Sequence, residues 1–356
     1  MNIIIACGGT GGHLFPGIAV AQQLRKLGHH PVLLISRKEV DAEASRKYGD
    51  LDFHTIQAIA KPPLLSLKTP LFLWNLARTY LSCARILKQE RADAVVGMGG
   101  FTSMPPVRAA RSMGLRTFVH DSNALPGKSN RLTARWCTKV LLGMAEAAAY
   151  FPGSTCEVVG TPVREELYHL PDRAEARRRL GLPADKPIIL VTGGSQGARN
   201  LNSLLVEAAK GDPDVHYLVI AGRTDRDRVQ ELAAGAPNIT VIGFCSDMPA
   251  AYAAADGVIA RSGASTLTEL SVIGKACLLV PFPFAADDHQ THNARVFTGH
   301  GAAIMCQQAD LTQDTVHRFV HNTVLNAENR AAMENAMRSL ARPDAAEAIA
   351  RAITQA

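Results

Sequence analysis

The sequence predicts an α/β protein of two doubly wound parallel-sheet domains facing a cleft, and three observations carry that prediction. Short β-branched runs alternate with longer amphipathic segments, the rhythm restarts after Gly160-Thr161-Pro162, and glycine-rich turns follow strands in both halves. Runs that are apolar throughout and separated by helices indicate parallel strands covered on both faces. The chain has 356 residues, about twice the usual ~150 per domain.

In the first half, Asn2–Cys7, Pro31–Ser36, Asp52–Gln57, Ala94–Gly97, Arg116–His120 and Val140–Gly143 are expected strands, with helices over Gly17–Leu27 and Pro70–Gln89. The second half repeats the pattern with Pro187–Thr192, His216–Ala221, Ile239–Ile242, Gly257–Ala260, Cys277–Pro281 and Ala302–Met305. The boundaries expected are a domain over 1–162, a second over 163–340, and a C-terminal helix over 341–356 that can pack back on the first domain. Three glycine turns stand at strand ends: Gly8-Gly9-Thr10-Gly11-Gly12-His13, Gly97-Met98-Gly99-Gly100 and Gly193-Gly194-Ser195-Gln196-Gly197. Glycine lets the backbone come close to a diphosphate or a sugar, and ligands of open parallel sheets bind outside the carboxyl ends of the strands.

Composition narrows the chemistry. Residues 1–162 carry 19 Lys and Arg against 10 Asp and Glu, a net of +9, while the remainder carries 19 against 22, a net of −3. The basic half should meet something anionic, for which nucleic acid, an acidic membrane surface or a phosphorylated ligand would all serve. The seven cysteines are scattered without a C-x-x-C pair, which argues against a zinc site or a disulfide framework. Neither a signal peptide nor a spanning helix is read. No G-x-G-x-x-G follows the first strand, and Gly127-Lys128-Ser129 lacks the glycine a P-loop needs five residues earlier, where Ser122 stands. The Asp-x-Asp pairs at Asp50/Asp52, Asp212/Asp214 and Asp225/Asp227 are read as solvated surface, so no metal is implied.

The first turn through Gly17, the loop Gly97–Ser103, the segment Gly193–Asn202, and the runs Arg261–Leu270 and Asp287–Ala294 together resemble glycosyltransferase family 28, in order and over nearly the whole chain. His120-Asp121-Ser122-Asn123 departs from the usual His-Glu-Gln-Asn of that family. The resemblance implies two Rossmann-like domains of the GT-B type. It also implies metal-independent, inverting transfer of N-acetylglucosamine from UDP-N-acetylglucosamine to the C4 hydroxyl of N-acetylmuramyl-(pentapeptide)-pyrophosphoryl-undecaprenol. No cofactor and no nucleic acid are implied, whereas an anionic membrane surface and other cell-wall synthesis proteins are. The place implied is the cytoplasmic face of the bacterial cell membrane. The alternatives are another GT-B-like UDP-sugar enzyme, such as a lipid glycosyltransferase or an epimerase, and a non-catalytic nucleotide-sugar sensor.

Within that resemblance, His13 is the first choice for the base that deprotonates the acceptor hydroxyl and Asp121 the second. Glu269 would accept from two ribose hydroxyls, while Ala264, Ser265, Thr266, Leu267 and Thr268 start a helix whose N-terminus faces the diphosphate. Arg164, Ser195 and Gln196 would stabilise the leaving diphosphate. The backbone at Cys245 would pair with uracil, with Thr10, Gly11 and Gly12 completing the donor contacts. Asn123, His289, Gln290 and Asn293 suit sugar hydroxyls, and Gly99, Gly100, Phe101, Thr102 and Ser103 would hold the acceptor diphosphate. Residues 61–74 interleave lysines with leucines and prolines, so Leu64, Leu65 and Phe72 are expected at a membrane, with Leu73, Leu76, Ala77, Tyr80 and Ala84 turned inward.

Overall fold

The structure is a computed structural model that describes residues 1–9, 11–36, 46, 48–57, 69–193 and 198–355. It divides into two compact units, Met1–Arg164 with Arg342–Ala356, and Glu165–Ala341.

In the first unit the chain runs β1 (Asn2–Ala6), α1 (Gly11–Lys26), β2 (His30–Ile35), β3 (Asp52–Thr55), α2 (Thr69–Gln89), β4 (Ala94–Gly97), α3 (Met104–Ser112), β5 (Arg116–Asp121), α4 (Lys128–Ala134), β6 (Lys139–Leu142) and β7 (Cys156–Val158). All pairings are parallel, in the order β3-β2-β1-β4-β5-β6-β7. The apolar runs explain the centre: Ile3, Ile4, Ile5, Val95 and Val96 are fully buried, because helices cover both faces of the sheet. Sequence reading missed β7, a three-residue edge strand whose Val158 is 41% exposed, too short and too mixed in pattern to stand out.

The second unit runs α5 (Arg173–Leu180), β8 (Ile188–Thr192), α6 (Arg199–Lys210), β9 (His216–Ile220), α7 (Arg226–Leu232), β10 (Ile239–Ile242), α8 (Met248–Ala254), β11 (Gly257–Ala260), α9 (Ala264–Ile273), β12 (Cys277–Leu279), α10 (His289–Gly299), β13 (Ile304–Met305), α11 (Gln313–Phe319) and α12 (Ala327–Ser339). Its sheet is also parallel, in the order β10-β9-β8-β11-β12-β13. The last helix, α13 (Ala345–Thr354), belongs to the first unit, where Ile349, Ala350 and Ile353 join the core beside Ile18 and Leu24 of α1.

Two expectations need correction. Asp212 and Asp225 are buried rather than solvated, Asp212 accepting from Tyr217 Oη at 3.1 Å and Asp225 from Asn202 Nδ2 at 2.9 Å. Helix α1 begins at Gly11, so Gly11, Gly12 and His13 form its first turn and Pro16 lies inside it. Pro16 cannot supply the N–H that the Gly12 carbonyl would otherwise accept. Among the described residues no helix is long and apolar enough to cross a membrane.

Candidate functional site

Both sheets reverse their winding beside the first strand, between β1 and β4 and between β8 and β11, and the turns leaving such a pair diverge to open a crevice. In the first unit these turns are Cys7–Gly9 and Met98–Ser103. Side chains tie them together: Thr102 Oγ1 donates to Gly8 O at 2.7 Å, and Ser103 Oγ to Ala6 O at 3.1 Å. Ser103 shares that one hydrogen with Gly99 O at 2.7 Å and accepts from Gly99 N at 3.2 Å, so its hydroxyl is committed to the loop rather than to a ligand. Thr102 is committed in the same way, and the Gly99 N–H is spent on Ser103, which leaves the backbone N–H groups of Gly100 and Phe101 as the part of this loop suited to an anion and corrects the expectation for Gly99. Phe101 packs on Phe72 with ring centroids 5.8 Å apart.

The His13 ring lies against this loop. A Cβ added at Gly99 would come within 3.0 Å of His13 Nε2, and one at Gly100 within 3.0 Å of Cε1. Both glycines have positive φ, 109° and 76°, a region side chains rarely adopt. The loop is therefore glycine for two reasons, the backbone turn and the imidazole seated on it.

Behind the loop, His120 and Asp121 end β5. His120 is buried and bonded through Nε2 to Gly160 O at 2.8 Å; burial, with a smaller contribution from His13, lowers its pKa to about 4. Asp121 is 2% exposed and its two oxygens accept from Asn123 N (2.9 Å), Asn123 Nδ2 (3.2 Å), Asn130 Nδ2 (2.8 Å) and Gly127 N (3.2 Å). Burial raises its carboxyl above the usual range despite those donors. Asp121 thus organises the 122–130 segment, and a carboxylate enclosed in this way is not presented to an acceptor. Asn123 spends one amide hydrogen on that same carboxylate. Asn130, which sequence reading passed over, ties His120 O to Asp121, its Nδ2 lying 3.3 Å from where a Cβ on Gly99 would stand, and no local pattern marks it. Arg164 is half-buried with its guanidinium 5.2 Å from the Phe15 ring centroid.

In the second unit, β11 leads through Arg261-Ser262-Gly263 into α9. No side chain caps this helix, and Leu267 N donates to Gly263 O at 3.0 Å as its first helical bond. The N–H groups of Ala264, Ser265 and Thr266 precede that bond and have no intrahelical acceptor, which makes an anion-binding helix end. Leu267 and Thr268 are corrected accordingly: the Leu267 side chain is fully buried in the core and its N–H is used, while Thr268 Oγ1 donates to Ala264 O at 2.9 Å. Glu269 is half-buried and its Oε2 accepts from Tyr252 Oη at 2.9 Å, which orients the carboxylate.

Arg261 holds the turn from beneath. It is 7% exposed, donates from Nη1 to Val280 O and Pro281 O at 3.0 Å each and from Nη2 to Gln308 Oε1 at 2.5 Å, and burial lowers its pKa to about 10. Ser262 Oγ donates to Gln290 O at 2.8 Å, and Gln290 Oε1 accepts from Phe282 N at 2.9 Å, which fixes the half-buried Gln290 carboxamide beside this turn. Asn293 lies buried beneath this turn instead of lining it, its Nδ2 donating to Ser262 O at 3.1 Å. His289 Nδ1 donates to Ala286 O at 2.8 Å, which places the lone pair on Nε2. Two consecutive non-glycine residues at positive φ, Asp287 (52°) and Asp288 (54°), turn the chain into α10; such backbone strain costs on the order of 1 kcal/mol per residue and collects at functional sites. Cys245, 8% exposed, follows β10 next to Phe244, which is 57% exposed under the Arg223 guanidinium at 4.5 Å. Thr10, Ser195 and Gln196 lie outside the described residues. Among the described residues no group of three or more His, Cys, Asp or Glu is placed to hold a metal ion.

The pattern of the glycosyltransferase family 28 N-terminal domain matches residues 3–142, and that of its C-terminal domain matches residues 188–349. The UDP-N-acetylglucosamine–N-acetylmuramyl-(pentapeptide) pyrophosphoryl-undecaprenol N-acetylglucosamine transferase of Citrifermentans bemidjiense is 38% identical over 99% of both chains. That of a Nostoc species is 37% identical over 100% of this chain and 98% of its own. Among solved structures, MurG of Acinetobacter baumannii superposes with a TM-score of 0.79 at 30% identity, covering 100% of this chain and 99% of that one. The UDP-GlcNAc 2-epimerase of Neisseria meningitidis, bound to UDP-GlcNAc, has a TM-score of 0.72 at 16% identity over 98% of both chains, a likeness of fold alone.

Proposed function

The chain belongs to the UDP-N-acetylglucosamine–N-acetylmuramyl-(pentapeptide) pyrophosphoryl-undecaprenol N-acetylglucosamine transferases of glycosyltransferase family 28, and from that premise we propose how its residues perform the transfer. The enzyme moves N-acetylglucosamine from UDP-N-acetylglucosamine to the C4 hydroxyl of the undecaprenyl-linked N-acetylmuramyl-pentapeptide. The full-length agreement with transferases of that name, in a chain whose Gly97–Gly100 turn stands at the switch point of its first sheet, carries this reading.

The acceptor oxygen attacks the anomeric carbon on the face opposite the diphosphate, forming one C–O bond as the other breaks, which inverts the configuration. His13 takes the hydroxyl proton. The N–H groups of Ala264, Ser265 and Thr266 receive the charge that develops on the diphosphate, with Arg164, Ser195 and Gln196 assisting, and Glu269 holds the ribose. The Cys245 backbone meets uracil. Gln290, His289 and Asn123 meet the sugar, and Asn293 supports Gln290 through Ser262. The backbone N–H groups of Gly100 and Phe101 receive the acceptor diphosphate, with Gly99 tied to Ser103 behind them. No metal ion is needed, since backbone donors and a guanidinium can carry the leaving group. The deciding assay supplies labelled UDP-N-acetylglucosamine and the monosaccharide lipid, with the product identified by mass. Disaccharide lipid is expected with or without EDTA; loss of activity in EDTA, restored by a divalent ion, would assign the leaving group to a metal.

The acceptor's lipid requires contact with a membrane, and the cytoplasmic face is where its nucleotide donor is found. Residues 61–68 lie outside the described residues. Helix α2 corrects the expected orientation in part: Tyr80 and Ala84 pack against the core as expected, beside the buried Thr79, Cys83 and Leu87, but Phe72 packs on Phe101, and Leu73 and Ala77 are exposed. Its exposed residues Leu71, Trp74, Arg78, Leu81, Arg85 and Lys88 recur at three- and four-residue spacing and form one stripe, mixing apolar insertion with about 1 kcal/mol per basic residue near an anionic surface. Serine at Leu71, Trp74 and Leu81 should at least halve co-sedimentation with anionic vesicles at an unchanged thermal transition. Undiminished sedimentation would remove α2 from the membrane.

A further inference from the structure

Between α2 and α3 runs an apolar groove of about 340 Å³, lined by Leu73, Leu76 and Tyr80 of α2, Met104 and Pro105 of α3, and Trp136 after α4. That volume is at the lower end of the range for small-molecule sites. Polar contacts brace its walls: Tyr80 Oη and Ser112 Oγ are 2.6 Å apart, and the exposed Arg108 guanidinium lies 5.6 Å from the Trp136 ring centroid.

Its position in the chain says what it fits. Met104 follows directly on Ser103, so the groove starts where the loop assigned above to the acceptor diphosphate ends. Phe101 of that loop already packs on Phe72 of α2, one turn from Leu76. At the other side, Leu73 is 55% exposed and neighbours Trp74, so the apolar lining continues into the exposed stripe of α2. Arg108 adds a cation on the same wall, complementary to a diphosphate. A diphosphate drawn from the headgroup layer to this loop must bring its first apolar carbons with it, and each CH₂ left in water weakens binding about fourfold.

We propose that the groove holds the first isoprene units of the acceptor, between its diphosphate and the bilayer. This rests on the transferase reading and on the acceptor being polyprenyl-linked. It makes lipid-chain recognition a property of the protein itself, separate from adsorption to the membrane.

The test is done in vesicle-free solution below any micelle concentration, with two acceptors of identical N-acetylmuramyl-pentapeptide diphosphate head. One carries two isoprene units and the other a methyl group. The wild-type enzyme should show a KM at least tenfold lower for the isoprenoid acceptor. Ala77→Trp, which fills the groove from an exposed position of α2, should bring the ratio of the two KM values to within about twofold of one while the thermal transition is retained. Leu73→Asp is the second variant and should do the same. Equal KM values in the wild type, or a ratio that survives in both folded variants, would overturn the groove while leaving the transferase reading intact. Failure of the wild type to transfer to either acceptor would instead overturn the reading beneath it, and the groove with it.

Discussion

The turn after β4 and the turn after β11 hold the same topological position in their sheets, yet they are built by opposite means. The first is glycine backbone at positive φ with the His13 ring seated on it; its hydroxyls are spent on holding the loop, and the nearby Asp121 on holding the 122–130 segment. The second is pinned from below by a buried arginine, serine and asparagine, and presents N–H groups at a helix end. One switch point therefore offers a titratable side chain and the other a fixed set of backbone dipoles. The difference matches the division proposed between proton removal and stabilisation of a leaving diphosphate, because a proton acceptor must change charge during the reaction whereas a preorganised anion site must not move.

The strongest way to break the comparison is His13→Ala, for which kcat should fall about 10²–10⁴-fold with the KM for UDP-N-acetylglucosamine little changed. A kcat within twofold of wild type in steady-state kinetics would remove the histidine from proton transfer. Gly100→Ala comes next. The added methyl meets the imidazole at 3.0 Å and strains a φ of 76°, and since a displacement of about 1 Å can cost ~10²-fold, kcat should drop tenfold or more. An unchanged kcat would show that the ring need not sit where it does. In the second unit, Glu269→Ala should raise the donor KM about tenfold, the loss of a charge-assisted hydrogen bond, with a smaller effect on kcat. The reverse pattern would move Glu269 from binding to chemistry.

The smallest expected effect sharpens the contrast through pH. His120 titrates near 4 in the folded protein and near 6.5 when unfolded. Between those values only the unfolded state binds the proton, so stability falls as pH drops from about 6.5 to 4, by about 3 kcal/mol at most, and the loss is complete below 4. Burial lowers His216 in the second unit too, with Lys186 and Arg177 adding to the effect, but that ring is less completely enclosed than His120. Hydrogen exchange at pH 7 and pH 4.5 should therefore show the larger loss of protection in β5 and β6. Equal loss in both units would mean His120 is not the group responsible.

The strand order of each sheet follows from pairing, but every strand except the short edge strand β7 was legible on its own, since a short β-branched run such as Ile3-Ile4-Ile5, apolar throughout, suits a strand covered on both faces. The glycine turns were legible for a related reason: their conformational need is met by one residue type, wherever the rest of the chain lies. The start of α1 was not, because Pro16 reads as a first-turn residue although the helix begins at Gly11.

What the sequence determined by itself, then, was the α/β class, the turns at the strand ends and the residue types able to do the chemistry. Only the tertiary structure decided which of those residues face outward. By sequence Asn293 suits a sugar ligand, but Ser262, 31 positions earlier, takes its amide hydrogen; Phe72 reads as free for a membrane, but Phe101 packs on it; Leu267 reads as a donor contact and Asp121 as the second choice of base, but the core and the 122–130 segment enclose them. Arg261 and Asn130 were overlooked for the same reason. A polar group's hydrogen bonds go to whichever partners the fold brings within about 3 Å, and partners distant in sequence leave no trace in the local pattern from which a role is read.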